Sequence, residues 1–199
     1  ENWFTMELKA SESGIISANE LAILRGNMTN DAFQQEYECD WNIGRPGAIY
    51  ARHIERARSE NRVDKMPIDG SSPVHTAWDL GSPRNTVVWY FQTVGRFIRV
   101  IGCDKDIDET MTQRVARMRA RGLNYGDHFL PHDADQTERS GKSVASEVKA
   151  AGLSNVRIVP RTHDIWVGIN HATEIFPMLE FRSPDCDAGL DALDAYHTK

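Results

Sequence analysis

The sequence predicts an α/β fold in which a mixed five-stranded sheet carries helices on both faces. Two apolar, strand-like runs flank the turn-rich residues 81–85, GSPRN, and a third run, RFIRVIG, follows Gly95. Further along the chain, short strand-like runs alternate with amphipathic helical segments, the pattern of parallel strands joined by helical crossovers. Three meandering strands followed by two crossover strands make a mixed sheet.

Residues 1–72 show no alternating strand pattern and contain three helical segments between loops. The first of these, SANELAILRG, has Ser17 at the N-cap and Glu20 three residues later, which is a capping-box pattern. The chain opens at Glu1 rather than at Met, as an excised fragment would. We therefore expect residues 1–72 to be an N-terminal helical and linker arm from an upstream domain, and residues 73–199 to form the main domain.

From Val74 onward the predicted order is β-β-β-α-β-α-β-α-α. The helix that follows the third strand carries apolar residues at helical spacing and ends at Gly122, a residue type that favours the C′ position. The final helix reaches the chain end without a stop signal. The predicted strands are 74–80, 86–93, 96–102, 127–133 and 155–160, and the predicted helices are 106–122, 143–152, 164–176 and 184–199.

Composition is that of a globular protein without a membrane span. The 199 residues are 40% hydrophobic and 26% charged, with a mean hydropathy of −0.51, and no apolar run approaches the ~18 residues that span a bilayer. No signal peptide opens the chain, so a cytoplasmic location is expected. The three cysteines, Cys39, Cys103 and Cys186, form no CxxC pair, which argues for reduced thiols rather than a zinc site or a disulfide scaffold.

Two short motifs resemble known sites without completing them. SGKS at 140–143 matches the end of a phosphate-binding loop, but the position of the required first glycine is occupied by Gln136. His128 and His132 have the spacing of a helical zinc pair, but they lie in a strand-to-loop stretch that contains Pro131. We therefore expect no nucleotide site at 140–143 and two ordinary histidines.

Two carboxylates stand out at the ends of predicted strands. Asp79 interrupts the apolar first strand, and Asp133 ends the fourth. If these strands are neighbours, the two acids meet and form an oxygen-rich site suited to Mg²⁺ or Mn²⁺, and the cation offsets the cost of burying Asp79. The alternative is that Asp79 forms a turn before Gly81 and that Asp133 caps a loop.

The net charge of −6 argues against a generally basic, nucleic-acid-binding surface. Any DNA contact must therefore be local. Arg139 and Lys142 lie before a predicted helix N-terminus, which suits phosphate oxygens, and Arg84 lies in the predicted hairpin turn. Three further arginines share one face of the 106–122 helix, for which a solvated face is the better interpretation; they are Arg114, Arg117 and Arg121.

Several segments in the right order resemble the C-terminal nuclease domain of the large terminase subunit of tailed bacteriophages and their prophage relatives. They are DAFQQEYECDW, PVHTAWDLGSPRNTVVWYFQ, LNYGDHFLPHDAD, SGKS followed by VASEVKAAG, and CDAGLDALDAYHTK. The resemblance covers essentially the whole chain, and residues 1–35 resemble the exit from that family's ATPase domain. It implies an RNase H-like fold, consistent with the element order above.

The resemblance also implies a metal-dependent endonuclease that cuts concatemeric double-stranded DNA in the cytoplasm of an infected or lysogenic bacterium. Asp79 and Asp133 match the family's first-strand and fourth-strand acids, which would hold two Mg²⁺ or Mn²⁺ ions. Arg139, Lys142 and Arg84 are the candidate DNA contacts. The implied partners are double-stranded DNA and, in the full motor, the terminase small subunit and the portal, with no membrane.

One feature of the family has no match before Lys199. The third acidic ligand of the family lies in an HDW…SH…DA-type motif, and the late acids at 185, 187, 191 and 194 precede that position. We therefore expect this ligand beyond Lys199, and little or no nuclease activity in Mg²⁺ from residues 1–199 alone. Two alternatives remain open: another RNase H-like nuclease, such as a resolvase or transposase core, and a non-catalytic module that docks on the portal or small subunit.

Overall fold

The computed structural model describes residues 6, 8–28, 30–39, 48–82, 85–136 and 141–197. The chain divides into two compact units, one made of residues 1–55 with 193–199 and the other of residues 56–192. The second unit begins at Arg56, within the segment that the sequence suggested was an arm. It contains the whole sheet.

The first unit is helical in its described part. Its helices are α1 (Ala10–Ser13), α2 (Ala18–Gly26) and α3 (Asn30–Tyr37), and α4 (Ala51–Ser59) begins in it. The predicted capping box is confirmed at α2, where Ser17 and Glu20 exchange hydrogen bonds. At the other end of the chain, the Tyr196 carbonyl accepts a hydrogen bond from the Ile49 amide.

The second unit is built on one seven-stranded sheet with the order β1-β7-β4-β3-β2-β5-β6. The pairs β2–β3 and β3–β4 are antiparallel, whereas β1–β7, β7–β4, β2–β5 and β5–β6 are parallel. The strands are β1 (Val63–Asp64), β2 (Val74–Asp79), β3 (Val87–Val94), β4 (Phe97–Asp104), β5 (Tyr125–Leu130), β6 (Val156–Ile158) and β7 (Leu179–Arg182).

The predicted mixed α/β sheet is confirmed, but it has seven strands rather than five. The two strands that sequence reasoning missed are β1, with two residues, and β7, with four residues that follow Pro177. Neither is long enough to show alternation. Both form because partners are available: the Phe181 amide donates to the Arg62 carbonyl at 2.7 Å, and β4 offers its free edge to β7.

Helices cover both faces of the sheet, as predicted. On one face, Val115 of α5 (Met111–Ala120) and Val148 of α6 (Val144–Ala150) join the main core cluster with Trp78 and Tyr90. On the other face lies α8 (Asp187–Asp194), where a side chain at Gly189 would come within 2.2 Å of the Trp89 ring. The remaining helix, α7 (Ile165–Ile175), lies between β6 and β7 in the chain.

The final helix is shorter than predicted. It ends at Asp194, and the described residues that follow it form a turn and an isolated bridge between His197 and Ala48. The backbone groups that would have continued the helix therefore bond elsewhere in the chain. A helix without a sequence stop signal can still end where another segment supplies backbone partners.

The arginine face of α5 is only partly solvated, because its side chains are buried or bonded to acids, and this corrects the sequence interpretation. Arg114 is fully buried, and Arg117 and Arg121 each bond to the carboxylate of Asp104 at the end of β4. The helix itself begins at Met111 after a Thr110 N-cap, so Glu109 precedes it and pairs with Arg117 at 2.6 Å. Asp104 and Glu109, two acids outside the helix, therefore hold this face in place. The periodicity of the helix could not reveal them.

Candidate metal centre

The candidate site lies at the edge of the sheet where three parallel strands end. β2, β5 and β6 are parallel neighbours, so their carboxyl ends meet at the same edge. Asp79 is the last residue of β2, and a 3-10 turn, His132–Asp135, follows β5 after one residue. The predicted adjacency of the first and fourth predicted strands is thus confirmed by the β2–β5 pairing.

Asp79 reaches its position through strand alternation. Val74, Thr76 and Trp78 are buried, so His75, Ala77 and Asp79 project from the opposite face. Asp79 is exposed at the end of its strand, which corrects the expectation of a buried acid. The pKa of its carboxyl is nevertheless raised, first by partial desolvation and second by the negative charge of Asp133, so the two charges repel each other.

Asp133 is held by a short, anchored turn. Its neighbour Ala134 is fully buried in the core cluster, and the Ala134 amide donates to the Pro131 carbonyl at 3.0 Å. The Gln136 amide in turn donates to the Asp133 carbonyl at 3.0 Å, which closes the turn. Asp133 itself stays exposed beside this anchor, so its carboxylate is available to a ligand.

The two histidines four residues apart do not form a pair, as the sequence indicated. His128 is buried, and its Nδ1 lies 2.7 Å from the Thr76 hydroxyl, which also accepts a hydrogen bond from Trp78. Burial lowers the pKa of His128 to about 4, so the ring is neutral and we assign Thr76 as the donor to it. His132, by contrast, is exposed at the sheet edge.

The predicted DNA contacts are only partly described. Arg84 and Arg139 lie outside the described residues. Lys142 precedes the Ser143 N-cap of α6 and lines a shallow cavity with Thr110 and Glu147. The residues that line this cavity belong to the α5–α6 side of the sheet, whereas Asp79 projects from the other face.

Asp104 shows how a structural acid differs from the candidate ligands. It also ends a strand of the sheet, but it is buried and accepts hydrogen bonds from Tyr90, Arg117 and Arg121 at 2.5–2.7 Å. Its charge is therefore offset by the protein itself. The pKa of Asp79 is raised instead, because partial desolvation and the nearby charge of Asp133 both disfavour its ionised form.

The helix α8, which begins at Asp187, lies on the face of the sheet that carries Asp79. α8 crosses this face at Trp89, which is paired with Ala77 two residues before Asp79. Asp185 lies 3.6 Å from Arg182, and Asp187 accepts a hydrogen bond from Ser183. Within the described ranges, no group of three or more His, Cys, Asp or Glu side chains is arranged to hold a metal ion.

Sequence reasoning missed a cleft at the same edge of the sheet, lined by residues next to Asp79 and Asp133 in the sequence. The cleft has a volume of about 330 Å³ and is open to solvent. Trp78 and His132, the residues that precede Asp79 and Asp133, both line it, and Arg161 lies in the loop after β6 that forms its far wall. The signal was weak, since VPRTH follows a three-residue strand and matches no motif.

None of the described helices is both long and apolar enough to cross a membrane. The three cysteines carry no disulfide, as their spacing indicated. No protein-family model and no curated protein matches the chain.

Solved structures do match. The nuclease domain of the bacteriophage P22 large terminase aligns with a TM-score of 0.54 at 15% identity, over 70% of this chain and 77% of that one. The chain has the fold of a large-terminase nuclease domain.

Two further structures share the terminase nuclease fold. The large terminase nuclease domain of bacteriophage SPP1, which holds bound Mn, aligns with a TM-score of 0.53 at 10% identity, over 69% of this chain and 78% of that one. A large terminase from a thermophilic bacteriophage aligns with a TM-score of 0.55 at 12% identity, over 96% of this chain. This chain spans 47% of the length of that terminase. At these identities the match establishes the RNase H-like fold.

Proposed function

We propose that this chain is the nuclease part of a phage DNA-packaging terminase and cuts concatemeric double-stranded DNA by metal-dependent phosphodiester hydrolysis. One observation carries the proposal: Asp79 and Asp133 lie together at the strand ends of a terminase-nuclease fold, close enough for one charge to raise the pKa of the other carboxyl. A cation bound between the two carboxylates would relieve their repulsion.

The two side chains fit a hard divalent cation. Carboxylate oxygens are the donors that Mg²⁺ and Mn²⁺ prefer, and the SPP1 nuclease domain of the same fold contains Mn. We infer that Asp79 and Asp133 hold a pair of such ions. When bound, the ions would supply an activated water and would stabilise the leaving oxygen.

The protein's own contribution is position. Asp79 is fixed by the β2–β3 pairing, through its register with Val87, and Asp133 is fixed by the buried Ala134. The backbone positions from which both side chains extend are therefore set by the fold. In the packaging motor, double-stranded DNA is the proposed substrate, and the terminase small subunit and the portal are the proposed partners, inside the infected or lysogenic host cell.

Mn²⁺ binding to the 199-residue chain tests the proposal without relying on turnover. Free Mn²⁺ is measured by electron paramagnetic resonance during a titration of the parent, Asp79→Asn, Asp133→Asn and the control Asp64→Asn. Asp64 is an exposed acid on β1, four strands from β2 and so roughly 19 Å away in the sheet. We expect each site variant to weaken Mn²⁺ binding at least tenfold and the control to match the parent.

The same titration separates the alternatives. A non-catalytic docking module would bind Mn²⁺ no better than the Asp79→Asn variant does, and that result would overturn the proposal. A resolvase or transposase core would bind the metal through the same acids, but it would prefer branched DNA or transposon ends. Competition between linear duplex and a four-way junction in the cleavage assay therefore decides between the two nuclease classes.

A further inference from the structure

The cleft near the candidate metal site has apolar walls and a polar rim. Its walls are apolar, from Phe129 of β5 and Pro131, Val159 and Pro160 of the loops. Its polar groups come from His132, Arg161 and Thr162. Apolar walls with a few polar groups at the rim are typical of ligand sites, and about 330 Å³ lies at the small end of their range.

The cleft is part of the folded framework. The Val159 amide donates to the Leu130 carbonyl at 2.8 Å, which continues the β5–β6 pairing into the loop that forms the far wall. The near wall is Ala77, which is paired with Phe129 across the β2–β5 ladder. Asp79 lies two residues beyond Ala77, so roughly 7 Å of strand separates the cleft wall from the candidate ligand.

Arg161 gives this cleft a positive charge. Its side chain is exposed, and among the described residues no acid pairs with it. Arg157, in the preceding strand, is different, because it pairs with Asp127 at 2.8 Å. An arginine that is not neutralised by the protein presents a planar group suited to a phosphate.

We propose that this cleft holds one nucleotide of the DNA strand that is cut, with Arg161 on its phosphate and the apolar walls against its sugar. The proposal rests on the proposed nuclease function and adds a substrate subsite to it. The size fits a single nucleotide unit better than a duplex. Phosphate and sugar contacts carry no direct sequence information, so the subsite adds affinity but little specificity.

DNA binding without cleavage tests the subsite. Fluorescence anisotropy of a labelled blunt duplex is measured in EDTA, and again in Ca²⁺, between about 50 and 200 mM salt. Arg161→Ala should weaken binding about 3- to 10-fold at low salt and reduce the steepness of the log K against log salt plot by about 1. Arg161→Lys should keep the steepness, because the charge remains, but should recover only part of the affinity.

Two further variants make the test specific. Arg96→Ala is the matched control, because Arg96 is an exposed arginine in the β3–β4 turn, at the opposite end of the sheet from Asp79. Val159→Trp fills the cleft from a partly exposed position, and it should weaken binding without changing the salt dependence. The unfolding temperature of each variant is compared with that of the parent to confirm the fold.

The outcomes distinguish failure of the nucleotide subsite at Arg161 from failure of the metal site at Asp79 and Asp133. If Arg161→Ala has the parent's affinity and salt dependence, or if Arg96→Ala changes both as much, the subsite is wrong even when Asp79 binds Mn²⁺. If Val159→Trp binds DNA as tightly as the parent, the cleft does not hold a nucleotide, and Arg161 contacts phosphate only at the surface. If Arg161 governs binding but neither acid binds Mn²⁺, the catalytic proposal fails and the DNA contact stands.

Discussion

Asp79 and Asp133 lie close enough that the negative charge of Asp133 helps to raise the pKa of the Asp79 carboxyl, in addition to the larger effect of partial desolvation. The two residues come from different strands, and the parallel β2–β5 pairing brings their strand ends to one edge of the sheet. The repulsion between the two charges destabilises the fold slightly, and a bound cation would neutralise it. The first two predictions below follow from this relationship.

Removing either carboxylate should abolish DNA cleavage. Asp79→Asn and Asp133→Asn, each made in the full-length protein, keep the side-chain shape but remove a charged ligand. We expect conversion of supercoiled plasmid in Mn²⁺ to fall at least 100-fold, a loss of about 2.7 kcal/mol in transition-state stabilisation. Asp64→Asn serves as the control, and EDTA gives the background. Near-normal nicking by either site variant would remove that residue from the site.

An Asp→Asn substitution should affect stability differently at a candidate ligand and at a structural acid. Asp79→Asn removes a partly desolvated charge and its repulsion with Asp133, so its unfolding midpoint in urea should equal or exceed that of the parent. Asp104→Asn removes the charge to which Tyr90, Arg117 and Arg121 bond, and it should lower the free energy of unfolding by about 2–3 kcal/mol. A clear loss of stability in Asp79→Asn would mean that Asp79 is a structural residue.

His128 should make the fold sensitive to acid. Its folded pKa is about 4, whereas an unfolded histidine titrates near 6.5, so between these values the unfolded chain binds more protons. Stability is therefore lost as the pH falls from about 6.5 toward 4 and reaches a deficit of about 2 kcal/mol at pH 5.

The matched variant is His128→Asn, whose side-chain oxygen can accept the Thr76 hydrogen bond. Urea unfolding of both proteins at pH 7.5 and pH 5 isolates the histidine, because all other titrating groups are shared. The parent should lose about 2 kcal/mol more than the variant between the two pH values. Equal losses would show that His128 is protonated in the folded protein.

Positive charge before α6 should contribute sequence-independent affinity. Arg139→Ala combined with Lys142→Ala removes two cations that precede Ser143, the N-cap of α6, in the sequence, and each lost phosphate contact lowers the salt dependence by about 1. We expect weaker binding by about the same factor for duplexes of different sequence. If the double variant binds as tightly as the parent at low salt, these residues do not contact DNA.

The sequence by itself determined the alternating elements from Val74 onward and the identity of the two acids. Strand alternation and caps are local properties, so β2, β3, β4, the Ser17 capping box and the Gly122 stop could be predicted. The position of Asp79 on the face opposite Trp78 follows from the same alternation.

Only the tertiary structure decided which elements meet. β1 and β7 are too short to show a pattern and form because the edge of β4 was available. Arg117 and Arg121 are held by Asp104, which lies at the end of β4. The Arg161 cleft arises in the same way, because three strand ends meet at one edge. Such contacts depend on residues far apart in the chain, and local periodicity carries no information about them.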